Sequence, residues 1–162
     1  MRFASRQSAR FGQPEIGVGL VPGGGALEWL PRLVGRSRAL EIALSGDDFD
    51  ADIAERYGWV NRTLDDDALD SFVDTLVRRL ASFDREVLAA AKAQVNRFGM
   101  PTAAELQSSN DLFFPLLALP GAQARRGKVR GLGYGVPSDF ELNFGRYLPA
   151  LGPADDGGAQ PG

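Results

Sequence analysis

Apolar positions recur most regularly between residues 69 and 80. Leu69, Phe72, Val73, Leu76, Val77 and Leu80 fall at i, i+3, i+4, i+7, i+8 and i+11, one face of an amphipathic helix. Asp65-Asp66-Asp67 places negative charge at its start, where the helix dipole favours it. Asp84 is a cap for a second helix through Val87, Leu88, Ala91 and Val95. Thr102-Ala103-Ala104-Glu105 has capping-box spacing and opens a third, with Leu106, Asn110, Phe113, Phe114 and Leu117. Upstream, Leu27, Leu30, Leu33 and Val34 also keep helical spacing, but Pro31 falls inside the pattern and predicts a kink or break. Arg36 to Leu44 predicts a short helix stopped by Gly46, and Asp50 and Gly58 bracket another over Ala51 to Tyr57. Trp59 to Leu64 is rich in aromatic and β-branched residues and predicts a strand.

Two regions resist this treatment. Ile16 to Val21 alternates glycine with aliphatics and runs into Pro22-Gly23-Gly24-Gly25, which predicts a short extended or turning segment before a helix start. Residues 121–145 are basic, then Gly-rich, and receive no assignment. From Pro149 onward Pro, Gly, Ala and Asp predominate, so residues 149–162 are expected to form a disordered tail.

At 162 residues one domain is expected, and 44% hydrophobic residues argue against compositional disorder. A net charge of −3 excludes the basic field of a general nucleic-acid binder. With no Cys and no His, the chain has no thiol nucleophile, no disulfide, no Cys-ligated zinc and no Ser-His-Asp triad. Acid–base chemistry therefore falls to Asp, Glu, Tyr or Lys. No metal site is expected, because three adjacent carboxylates such as Asp65 to Asp67 do not converge on one ion by themselves. No apolar run reaches membrane-spanning length and Met1 to Arg6 lacks an apolar signal segment, so a cytoplasmic protein without a membrane partner is expected. Lys92 and Lys128 are the only lysines among the 18 basic residues, an arginine bias that hints at a GC-rich bacterial source.

Phe11-Gly12-Gln13-Pro14-Glu15-Ile16-Gly17-Val18-Gly19-Leu20-Val21-Pro22-Gly23-Gly24-Gly25 resembles the crotonase family of enoyl-CoA hydratases and isomerases. Leu30 to Gly35, Ala39-Leu40-Glu41, Leu44-Ser45-Gly46, Ala51, Ala54 and Gly58-Trp59-Val60-Asn61 continue the resemblance in the family's order. It is good over residues 1–97 and weak over 98–145. The resemblance implies an α/β fold: part of a ββα spiral over residues 1–64, then a helical C-terminal region over 65–148. It implies an acyl-CoA thioester as substrate, with coenzyme A entering as part of that substrate and no separate cofactor. It places Glu15 at the family's second catalytic glutamate, which moves a proton at the α or β carbon in hydration or double-bond isomerisation, as in fatty-acid β-oxidation. Gly23 matches the position whose N–H orients a water beside that acid, and Gln13 is positioned to help orient the carboxyl.

The family's N-terminal half, with its oxyanion donors and first glutamate, has no counterpart here. The resemblance therefore implies half a domain, the product of a mis-started or truncated reading of a longer gene, or a remnant. Loss of a single oxyanion donor costs about 10²–10³ in rate, so such a half is expected to be nearly inactive alone. The alternative is a non-catalytic module that oligomerises with itself or with a full-length relative. Phe113, Phe114 and Leu117 read as core or interface residues.

Two further features carry competing readings. Gly17-Val18-Gly19 and Gly23-Gly24-Gly25 fail the dinucleotide fingerprint because Pro22 stands where the last glycine is needed, which leaves tight backbone packing as the simpler account. Arg125, Arg126, Lys128 and Arg130 form the densest basic cluster. The resemblance offers Arg125, Arg126 and Lys128 for coenzyme A phosphates; a solvated helix face is the simpler reading.

Overall fold

The computed structural model describes residues 1–152. Its strands are short. β1 (Phe3–Ser5) pairs in parallel with β4 (Arg62–Leu64), with Ala4 opposite Thr63. β2 (Arg10–Phe11) pairs antiparallel with β3 (Phe49–Asp50), with Phe11 opposite Phe49. Between these strands lie a 3-10 helix (Pro14–Val18) and three α-helices: α1 (Ala26–Val34), α2 (Arg36–Ser45) and α3 (Ala51–Tyr57). The helical region follows as α4 (Asp66–Ala81), α5 (Arg85–Gly99), α6 (Ala103–Leu116), α7 (Pro120–Gly131), α8 (Asp139–Leu142) and α9 (Phe144–Tyr147), closing on a second 3-10 helix (Leu148–Leu151).

Local chemistry explains most boundaries. The Asp50 carboxylate accepts from the Ile53 N–H at 2.7 Å, and Gly58 at φ 83° stops α3 in the left-handed region. The Asp84 side chain accepts from Glu86 and Val87 N–H, and Thr102 with Glu105 completes a reciprocal capping box. The break expected at Pro31 does not occur. Pro31 has no N–H for the Leu27 carbonyl, yet α1 runs on, held by buried Leu30 and Val34 and by the Gly35 N–H bonded to the Pro31 carbonyl. Packing outweighs one missing bond. The strand expected over Trp59 to Leu64 shrinks to Arg62–Leu64. Trp59 and Val60 instead donate their N–H groups to the Ala54 carbonyl, wrapping the end of α3, and turn their side chains into the core.

Three clusters form that core. Leu30, Val34, Ala39, Ile42 and Phe49 join α1, α2 and β3, with Trp59 in edge contact with Phe49. Ala4, Ala51, Ala54 and Val60 allow α3 to lie close against β1. Val129, Phe140, Leu148 and Leu151 gather the C-terminal segments. The tail expected from Pro149 is therefore packed as far as Gly152, with Leu151 only 2% exposed; residues 153–162 lie outside the described residues. Leu148 and Leu151 decide this against a composition that reads as loop.

α4 and α5 contribute no buried residue. The regular apolar face of α4 is only partly covered, where Phe72 meets Phe3 edge-on at 5.1 Å. On α5, Val95 is 73% and Phe98 88% exposed. No helix among the described residues is long and apolar enough to cross a membrane.

Candidate active site

Glu15 is carried by the 3-10 helix Pro14–Val18. Pro14 presets the first turn, and Gly19, at φ 82°, reverses the chain so that the Leu20 N–H returns to the Glu15 carbonyl at 2.9 Å. Two glycines in this stretch are required by close approach. A Cβ on Gly17 would lie 2.5 Å from Leu148 Cδ1, and one on Gly19 would lie 3.1 Å from Ala122 Cα. The alternation of glycine and aliphatics is thus a packing device, which seats the C-terminal segments against the turn.

The Glu15 side chain enters a cleft of about 340 Å³. Pro14, Val18 and Leu20 line it together with Phe113 from α6, Val129 from α7 and Phe144 from α9. Glu15 Oε2 is buried and has no hydrogen-bond partner among the described residues. Burial raises the carboxyl above its ordinary 4.5, opposed by a smaller effect of its own backbone N–H. An orphaned buried acceptor is uncommon and costs about 1–3 kcal/mol. A carboxyl raised by burial in an apolar cleft is suited to delivering and recovering a proton.

The other expected site residues divide. Gln13 spends its amide on the Gly12 carbonyl at 3.0 Å and does not reach the Glu15 carboxyl. Gly23 is closed over by the cleft wall, since a Cβ there would lie 2.6 Å from Phe113 Cβ. Arg125 donates to the Gly17 carbonyl at 3.1 Å and so ties α7 to the turn that bears Glu15. Lys128 donates to the Gly152 carbonyl at 3.0 Å. Those two cations are occupied by backbone, whereas Arg126 lines the cleft together with Arg130. Tyr134 also lines it, with its ring 5.6 Å from that of Phe144. Sequence reasoning took Phe113 as core or interface and left Tyr134 and Phe144 unassigned. Their shared signal is only that they are aromatic, because their approach to Glu15 spans about a hundred residues of chain.

The same arrangement of short strands, turn and helices is found in solved structures of the crotonase fold. A Streptomyces avermitilis crystal structure of a protein classed as an enoyl-CoA hydratase superposes with a TM-score of 0.89 at 45% identity, over 92% of this chain and 54% of that one. An enoyl-CoA hydratase from Mycobacterium avium subsp. paratuberculosis gives 0.69 at 31%, over 75% and 52%. The sequence agrees: the enoyl-CoA hydratase/isomerase family pattern matches residues 2–115, and the chain belongs to that family. The probable enoyl-CoA hydratase of Rhizobium meliloti is 39% identical over 113 residues, 69% of this chain and 44% of that protein. The short-chain-enoyl-CoA hydratase of Clostridioides difficile is 42% identical over 81 residues, 50% and 52% respectively. The chain spans about half the length, or less, of the curated relatives it matches.

Proposed function

We propose that Glu15 moves a proton at the α or β carbon of an acyl-CoA thioester. The observation that supports this is the buried, unpartnered Oε2 in an apolar cleft. Protonated, the carboxyl delivers its proton to the α carbon of an enolate-like thioester. Ionised, it takes a proton from a carbon beside the conjugated system. Double-bond isomerisation needs only this one shuttle, because the proton removed at one carbon returns at another. Hydration needs in addition a base for the attacking water, and Glu15 is the only carboxylate among the described residues that line the cleft. Coenzyme A arrives as part of the substrate, and the chain needs no resident cofactor. The setting is fatty-acid-type metabolism, such as β-oxidation in a bacterial cytoplasm, in line with names such as the crotonyl-CoA hydratase of Syntrophomonas wolfei.

The test is proton exchange. The chain is incubated in D₂O with a 3-enoyl-CoA thioester and with crotonyl-CoA, and deuterium at the α carbon and added water are followed by mass spectrometry. Exchange by the wild type that Glu15→Gln abolishes is the expected result. A wild type no faster than Glu15→Gln refutes the assignment.

A second reading, a module that associates with itself or with a longer relative, is favoured by the exposed Val87, Val95 and Phe98 of α5. Sedimentation velocity that finds only monomer, alone and mixed with a full-length relative, removes it.

A further inference from the structure

Arg126 and Arg130 are four residues apart on α7, hence on one face of the helix. Both line the cleft that holds Glu15, and Arg126 is half-buried there. Neither has an acidic side chain within salt-bridge distance among the described residues. Their neighbours Arg125 and Lys128 are committed to the Gly17 and Gly152 carbonyls, so the cluster is not a uniformly solvated face. The rest of the lining is mainly apolar, with Glu15 and Tyr134 the other polar side chains. Two guanidinium groups with no salt-bridge partner among the described residues, Arg126 half-buried and Arg130 exposed, share a largely apolar cleft with Glu15 and form a site for an anion; planar guanidinium suits a carboxylate.

Distance decides which part of the substrate supplies that anion. If the space were compact, about 340 Å³ would be roughly 9 Å across, typical of a small ligand pocket. The pantetheine arm, about thirteen bonds from sulfur to the first phosphate, spans roughly 15 Å at the extended-chain rise of amide-linked atoms. With the reacting carbons at Glu15, the coenzyme A phosphates lie beyond this cleft, whereas the far end of a short acyl chain lies inside it. We infer that Arg126 and Arg130 select an acyl-CoA whose acyl group ends in a carboxylate. This rests on the assignment of Glu15 as the reacting carboxyl.

Binding to the whole chain tests it by calorimetry with three ligands: glutaconyl-CoA, which ends in a carboxylate; pent-2-enoyl-CoA, its methyl-ended counterpart of equal length; and free coenzyme A. The expected result is at least about a 10-fold preference for glutaconyl-CoA, the size of one charge-assisted pairing. In Arg126→Gln/Arg130→Gln the affinity ratio falls to about one, whereas Arg126→Lys retains part of it. A wild-type ratio near one overturns the inference without recourse to any variant. A ratio that survives in the double variant also overturns it. So does an equal loss with free coenzyme A, which would assign the arginines to the phosphates. Glu15→Gln separates the two proposals: it is expected to keep the preference while losing α-carbon exchange, and exchange that persists in Glu15→Gln sinks the carboxyl assignment alone.

Discussion

Replacing Glu15 by Gln should make the protein more stable at neutral pH while removing its chemistry. Glu15 Oε2 is buried without a partner, and burial raises the carboxyl above 4.5. The folded chain therefore holds its proton more tightly than the unfolded chain does. Below about pH 4.5 both states are protonated, and the wild type carries no penalty. As pH rises the unfolded state ionises first, and wild-type stability falls until the native carboxyl has ionised as well. Above that point the penalty is constant. Each unit by which burial raises such a group corresponds to about 1.4 kcal/mol. The amide of Gln remains unpaired, so the gain belongs at the lower end of the 1–3 kcal/mol cost of an orphaned group, about 1 kcal/mol. For a chain of this size that is a rise of about 2–4 °C in Tm. Thermal melts of both proteins from pH 4 to pH 8 should show curves that meet at the acid end and separate toward neutrality. A Glu15→Gln protein less stable than wild type at pH 7, or a difference that does not change with pH, would refute the picture of a desolvated carboxyl.

Two further perturbations probe the scaffold. Gly23→Ala should cost about 1–3 kcal/mol by overpacking, because the new Cβ would lie 2.6 Å from Phe113 Cβ; adding Phe113→Ala should recover part of this in a double-mutant cycle, and strict additivity in denaturant unfolding would argue against the contact. Glu105 is held down to about 2, first by the Thr102 backbone N–H and then by Arg32, so its contribution to stability is present above 4.5 and lost as pH falls through about 2; the carboxyl resonance should titrate near there by NMR, and the difference between wild type and Glu105→Gln should fade over the same acid range.

Much of the helical framework could be read from the chain because it is locally determined. Asp50, Asp84 and Thr102 cap helices through side chains two or three residues from the N–H groups they accept. The misreadings have tertiary causes. Trp59 and Val60 have strand propensity, but the core claims their side chains and α3 claims their N–H groups. α7 was invisible because it buries little more than Ala122 and Val129 and carries Gly127 within it, so no apolar period marks it. The candidate site divides in the same way. Glu15 stood out as a candidate because a run of motif residues surrounds it. The cleft around it was not, because α6 and α7 arrive from far along the chain, and nothing in Arg125 or Lys128 announces that backbone carbonyls will occupy them.

The turn that carries Glu15 is propped from behind by Leu148, which fills the space a side chain at Gly17 would need, and by Arg125. Engineering at this end of the molecule therefore acts on the carboxyl at a distance. An affinity handle or fluorescent fusion attached close to Gly152 loads the prop itself, and a generous spacer is the prudent choice for any preparation in which proton transfer is to be measured.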